Sequence, residues 1–252
     1  MTPRVASYGG GVNSTAMLIE LCRLDSRVDL ILFSDTGGEK PETYEYAKRF
    51  SFWLLNHGMQ SITVVRDPRR TLEQDCIDRH SLPSIVRGIR SCSDVFKIRP
   101  QDRFLKSWQP AMEAWERGDK VTKLVGFDAG EAHRVKKFDS PRFTIEFPLV
   151  EWGWDRERCL HAIESAGLPV PPKSSCFFCP EMHEQEIIEL NKAHPDLMER
   201  AFAMERGNTA FYDVRGLART HSWEQIVDYH KRQMTLPYVG GDMPCMCFDG
   251  EE

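Results

Sequence analysis

The segment Gly9-Gly10-Gly11-Val12-Asn13-Ser14-Thr15 sets three glycines ahead of three small polar side chains. An apolar run, Val5 to Tyr8, precedes it, and a helix-like stretch follows. That order suits anion binding. Glycine tolerates positive φ and lets backbone N–H groups come close to a ligand. The helix behind the glycines adds free N–H groups and the positive end of its dipole. Ser7, Gly9, Gly10, Gly11, Asn13, Ser14 and Thr15 are therefore candidate phosphate contacts. The loop lacks the Gly-Lys-Ser/Thr ending of a Walker A motif and the glycine spacing of a dinucleotide fingerprint.

Thiols form the second group. Eight cysteines are many for a chain read as cytoplasmic, where disulfides are rare. Two close pairs, Cys176-x-x-Cys179 and Cys245-x-Cys247, point to metal binding or redox chemistry. Cys22 and Cys159 lie among apolar helix-like residues and read as small buried hydrophobes. Zinc offers one reading of the first pair: Cys176, Cys179 and His183 with Cys92 would make a tetrahedral Cys₃His site. Reduced, metal-free thiols are another.

A third group follows a strand-like run at Lys123 to Val125. Gly126-Phe127-Asp128-Ala129-Gly130-Glu131-Ala132-His133-Arg134 packs two carboxylates, a histidine and an arginine into nine residues. Asp128 or Glu131 suits Mg²⁺, a hard cation that takes oxygen ligands. His133 and Arg134 suit a leaving phosphate. Cations are frequent from Arg66 to Lys106, among them Arg90 and Lys97 on either side of Cys92. These two are the preferred anion contacts; the rest read as solvated faces. Trp152 and Trp154 read as packing residues.

The elements that position these groups alternate. Strand-like runs at Val5–Tyr8, Leu30–Phe33, Ile62–Val65, 123–126 and Phe143–Phe147 are separated by helix-like stretches such as 14–24 and Pro41–Asn56. The alternation predicts a doubly wound α/β fold with a mostly parallel five-stranded sheet. After residue 150 only helices and loops are expected, at 156–166, 181–192, 196–206 and 223–232. The chain thus divides into an α/β unit, 1–150, and a helical lobe, 151–252, with a cysteine-bearing tail. It has 252 residues, 41% hydrophobic and 28% charged, with a net charge of −5. That composition is ordinarily globular, and the charge argues against a nonspecific nucleic-acid coat. No apolar run has the length of a membrane span or of a signal peptide, so a cytoplasmic protein is expected.

The glycine loop is similar to the Ser-Gly-Gly-x-Asp-Ser loop of the PP-loop ATP pyrophosphatase superfamily, which includes phosphoadenylylsulfate reductases, ATP-dependent tRNA-thiolating enzymes and DNA phosphorothioation enzymes. Gly9 stands where that loop has Ser, and Asn13 where it has Asp. Phe33-Ser34-Asp35-Thr36-Gly37, then Pro41-Glu42-Thr43, resembles the Asp-Thr-Gly…Pro-Glu-Thr element of sulfonucleotide reductases, which places Asp35 and Thr36 beside the nucleotide. Gly126 matches the glycine of the family's Gly-x-Arg segment, with Asp128 in place of the arginine. Cys92 through Pro100 resembles Cys-Cys-x-x-Arg-Lys-x-x-Pro, with Ser93 and Phe96 as departures.

The resemblance implies an adenine nucleotide alpha-hydrolase-like fold and ATP or a related adenine nucleotide with Mg²⁺. It implies a 4Fe–4S cluster on Cys92, Cys176 and Cys179, with Cys76, Cys245 or Cys247 as fourth ligand or one iron open. Three activities are compatible. An ATP-cleaving enzyme would activate an acceptor for sulfur transfer. A sulfonucleotide reductase would use a nucleophilic tail cysteine, Cys245 or Cys247, although the Glu-Cys-Gly-x-His tail is absent. An accessory subunit would only bind the nucleotide. Partners implied are the nucleotide, a nucleic-acid or small-molecule acceptor and, for a reductase, a thioredoxin-like reductant. No membrane is among them, and an oligomer is left open.

Overall fold

The computed structural model describes residues 1–135, 140–211 and 213–235, without the side chains of 233–235. The strands are β1 (Arg4–Tyr8), β2 (Leu30–Ser34), β3 (Ile62–Val65), β4 (Val121–Val125) and β5 (Phe143–Glu146). They form one sheet in the order β3-β2-β1-β4-β5, and every neighbouring pair is parallel. The expected doubly wound α/β fold is present. The direction of winding reverses between β1 and β4, and ligands of such sheets sit at that crevice, beyond the carboxyl ends of the strands.

Parallel strands covered on both faces should be apolar on both. All five residues of β2 are buried. Along the strands, side chains alternate between two cores. Ala6, Tyr8, Ile31, Phe33 and Leu124 face a layer built by α1 (Val12–Arg23), α2 (Pro41–Asn56) and, later in the chain, residues Cys159 and Ile163. Val5, Leu30, Leu32, Val65 and Val121 face the other layer. Between β3 and β4 the chain forms α3 (Leu72–Asp78), α4 (Ser91–Ser93), a π-helical turn over Asp94–Ile98, α5 (Arg99–Leu105) and α6 (Gln109–Glu116). Leu105 and Ala111 join the second core.

After β5 come α7 (Pro148–Glu151), α8 (Arg156–Ser165), α9 (Glu184–Ala193), α10 (Pro195–Arg206) and α11 (Trp223–Thr235). Asp155 caps α8, its carboxylate accepting from the Arg158 N–H at 2.8 Å. Helix α8 packs on α1 within the first core. A third apolar cluster joins α9, α10 and α11 to Leu72, Cys76, Val86, Phe96, Phe177 and Phe178. Among the described residues no helix is long and apolar enough to cross a membrane.

Leu32 is fully buried at the centre of the second core. Leu32→Ala should lower the unfolding free energy by about 2–5 kcal/mol, since truncation loses transfer energy and leaves a cavity. Urea unfolding followed by circular dichroism measures it; an unchanged midpoint would contradict this account of the core.

Candidate functional site

The glycine loop sits at the reversal of the sheet, between β1 and α1. Gly11 is the extended residue before α1, and no side chain caps this helix. The first intrahelical bond runs from Thr15 N–H to Gly11 O at 3.1 Å, which leaves the amides of the first turn pointing out of the helix end. Gly10 has φ +77°, a conformation L residues rarely adopt, and a Cβ there would stand 3.1 Å from Thr43 and 3.2 Å from Ser174. Gly126, the residue after β4, lies against α1: a Cβ would be 2.9 Å from Ser14 Cα. Absence of a side chain lets the β4 end meet the loop.

The hydroxyls of the loop turn inward. Ser14 Oγ accepts from Gly9 N–H at 3.1 Å and donates to Gly11 O at 3.2 Å. Thr15 is fully buried, its hydroxyl donating to Gly11 O at 2.9 Å. Both shape the loop and leave its anion contacts to backbone N–H groups. Ser7 Oγ donates to Gln101 at 2.8 Å, Gln101 donates to Ser34 at 3.1 Å, and Ser34 donates to Lys97 O at 2.7 Å. This chain of bonds fixes the π-helical turn that carries Lys97 against the ends of β1 and β2; such turns recur at functional sites.

Asn13 meets the third group of sequence candidates. Its Nδ2 donates to Asp128 Oδ2 and to Glu131 Oε2, both at 2.9 Å. Its Oδ1 accepts from Arg156 at 3.1 Å. Asp128 is buried and caps the 3₁₀ helix Ala129–Arg134, with Oδ1 accepting from Glu131 N–H at 3.1 Å. Glu131 Oε1 is ion-paired with Arg134, whose guanidinium also lies 4.3 Å from the centre of the Phe127 ring. All four carboxylate oxygens are therefore engaged by protein donors, an arrangement that does not fit a prepared Mg²⁺ site. His133 is exposed, with Nδ1 near Gly130 O.

Beyond β2, Asp35 accepts from Gly37 N–H at 2.8 Å and from the Tyr44 hydroxyl at 2.7 Å, and pairs with Arg66 at 3.2 Å. Thr36 is buried, with its hydroxyl 3.2 Å from Cys176 Sγ. The Cys176–Cys179 segment docks on this loop: Glu39 and Cys176 form an antiparallel bridge, and Phe177 N–H donates to Gly38 O at 2.7 Å. Ser174, just before it, donates to Gly9 O at 2.6 Å and lies 3.2 Å from Glu39 Oε2. The thiol segment thus reaches the phosphate loop itself.

Cys92, Cys176 and Cys179 belong to one apolar cluster, and all three act electrostatically on the half-buried Lys97. Burial pulls the Lys97 ammonium down, but Glu39 and the three sulfurs together leave it above its ordinary value. Lys97 Nζ is 3.6 Å from Glu39 Oε1, and that buried oxygen has no hydrogen bond. Burial and the neighbouring Glu39 push the Cys176 thiol up to about 12, against the opposing pull of Lys97. Burial likewise raises Cys179.

The zinc set does not come together. His183 is exposed before α9, its N–H bonded to Glu186 at 2.8 Å, and among the described residues no group of three His, Cys, Asp or Glu is placed to hold one metal ion. Cys92, Cys176 and Cys179 remain as soft sulfur donors grouped near Lys97, the ligand type that iron–sulfur clusters take. Arg90 pairs with Glu181 at 2.8 Å at the rim. Cys22 is half-buried and Cys159 fully buried in the first core. Cys245 and Cys247 lie outside the described residues. A groove of about 390 Å³ beside the second half of α1, lined by Cys22, Trp53, His57, Trp154 and His161, includes neither the glycine loop nor Cys92, Cys176 or Cys179.

Sequence reasoning passed over Glu39, Ser174, Gln101 and Arg156. Glu39 carried a local signal, an acid between Gly37-Gly38 and Pro41. The other three act across 94 to 165 residues of chain and left none.

A profile described as the phosphoadenosine phosphosulfate reductase domain matches residues 3–158. No curated protein matches the chain. Among solved structures it is similar to the U34-tRNA thiolase NcsA from Methanococcus maripaludis with its 4Fe–4S cluster, at 13% identity and a TM-score of 0.41, over 90% of this chain and 72% of that one. The profile spans strands β1 to β5, the glycine loop and the start of α8, and the chain belongs to the phosphoadenosine phosphosulfate reductase domain family, within the PP-loop superfamily.

Proposed function

We propose that the chain is a cytoplasmic, ATP-using PP-loop enzyme that activates an acceptor for attack by sulfur. An acceptor oxygen attacks the α-phosphorus of ATP. The bond to the β-phosphate breaks, and pyrophosphate leaves. A sulfur or other nucleophile then attacks the adenylylated centre and displaces AMP. The acceptor is a nucleic acid or a small metabolite.

The observation that carries this reading is the contact of Ser174 with Gly9. It sets the thiol segment directly against the anion-binding turn, where phosphate activation and sulfur chemistry meet. In this reading the amides of Val12, Asn13 and Ser14 hold the phosphates, as helix N-termini do. Arg156, Arg134 and His133 lie on the carboxylate side of the loop, and Lys97 lies on the thiol side. Mg²⁺ comes as part of the nucleotide, on its phosphates. Cys92, Cys176 and Cys179 would hold a 4Fe–4S cluster, which supplies an iron with room for a sulfur donor.

Family membership favours a second reading, sulfonucleotide reduction. There a tail cysteine, Cys245 or Cys247, attacks the sulfate sulfur, the S–O bond to the nucleotide phosphate breaks, and a thioredoxin-like dithiol cleaves the resulting S-sulfocysteine to release sulfite. Assays with ATP, with adenylylsulfate and with its 3′-phosphorylated form separate the two. Pyrophosphate and AMP from ATP are expected; sulfite without pyrophosphate would select the reductase, and tight nucleotide binding without turnover an accessory subunit.

Two further outcomes are expected. Gly126→Ala should weaken adenine-nucleotide binding about tenfold or more with the fold retained, because its Cβ would displace the start of α1. Calorimetry measures this, and unchanged affinity would remove Gly126 from the site. Anaerobic reconstitution should give a brown protein with about four irons per chain, and Cys176→Ala should lose most of the iron; equal iron in the variant would take Cys176 out of the ligand set.

A further inference from the structure

We propose that Asn13 stands in for a divalent cation between Asp128 and Glu131, so that the carboxylate side of this nucleotide site is assembled without a protein-bound metal. The inference deepens the nucleotide reading above and rests on it only where nucleotide itself is used.

Two carboxylates facing one point repel unless a cation, a shared proton or a two-hydrogen donor lies between them. Asn13 supplies the third solution. Its amide nitrogen carries two hydrogens, and it lies 2.9 Å from one oxygen of each acid. The orientation of the amide is fixed by its other end. Arg156 donates to Oδ1 at 3.1 Å; a flipped amide would turn an acceptor toward both acids and a donor toward the guanidinium. The remaining carboxylate oxygens are held by the Glu131 N–H and by Arg134. Two carboxylates are thus balanced by two guanidinium groups around a neutral amide.

An aspartate at this position would change the sign of the problem. A third carboxylate would replace the one donor that, among the described residues, both acids share, and the cluster would then need a cation to hold together. Because residue 13 lies in the first turn of α1, its identity decides whether the phosphate turn keeps its shape alone or requires a metal. In this chain the turn is built for a polyphosphate whose Mg²⁺, where present, keeps its ligands among phosphates and water.

The test is Mn²⁺ titration of the metal-stripped, full-length protein, read by electron paramagnetic resonance without nucleotide. Wild type should take up no Mn²⁺ at this site, Asn13→Asp should take up one ion per chain, and Asn13→Asp with Glu131→Gln should lose it. Asn13→Ala, which leaves the acids unbridged, should gain thermal stability on adding Ca²⁺ where wild type does not. With ATP in EDTA, Asn13→Asp should bind at least about tenfold more weakly than wild type, since the added charge faces the phosphates unscreened. Stoichiometric Mn²⁺ uptake by wild type that Asp128→Asn abolishes would overturn the inference, as would a folded Asn13→Asp that takes up none. Failure of every form to bind ATP would sink the nucleotide reading and leave the Mn²⁺ result readable.

Discussion

An uncapped helix N-terminus placed where a parallel sheet reverses its winding governs the arrangement of this protein. Unsatisfied amides at the end of a packed helix are costly unless water, a cap or a ligand meets them. Here the sequence offers α1 no cap, and the surrounding side chains are spent on bracing the turn. Ser14 and Thr15, the residues best suited to cap or to bind an anion, bond back to Gly11. Gly126 and Gly10 clear space on two sides. The turn is stiffened from beneath and left with outward N–H groups, which is the state of a helix end that expects an anion.

The elements of the fold were legible because they follow local rules. The continuous apolar run of β2 marked a strand covered on both faces, and Pro41 marked the start of α2. The start of the helix expected from residue 181 falls at Glu184, because Glu186 reaches back to the His183 N–H. That is an N-terminal signature which the charge-rich sequence around it obscured. Between Ile62–Val65 and the strand near 123 the sequence was read for its cations and for the Cys92–Pro100 motif and not for its helices, yet it holds α3, the π-helical turn, α5 and α6. Its apolar residues are too sparse for a periodic signal, and its order comes from long-range bonds such as Ser7 to Gln101.

The site divides along the same line. Motif order brought Gly9–Thr15, Asp35, Thr36, Gly126 and the cysteines to notice, since each lies at or near the carboxyl end of a strand or in a close pair. What joins them was not legible. Ser174 to Gly9, Arg156 to Asn13 and Lys97 to Glu39 pair residues 165, 143 and 58 positions apart. No window of sequence contains both members, and only the packed sheet makes them neighbours. Roles also changed on folding: Thr15, a hydroxyl donor by type, is sealed beneath the loop it was expected to serve.

The thiol side poses an electrostatic question that the carboxylate side has solved. Lys97 is a single ammonium shared by Glu39 and three sulfurs. Glu39 is buried with one oxygen lacking a hydrogen bond, so it takes the larger share of that charge. Burial with Glu39 holds Cys176 up at about 12, and burial raises Cys179 as well. A metal group that takes these two sulfurs as ligands would have to expel their protons. On one flank of the phosphate turn an amide has taken the place of a cation; on the other, the ammonium of Lys97 answers the buried carboxylate of Glu39 in the midst of three sulfurs.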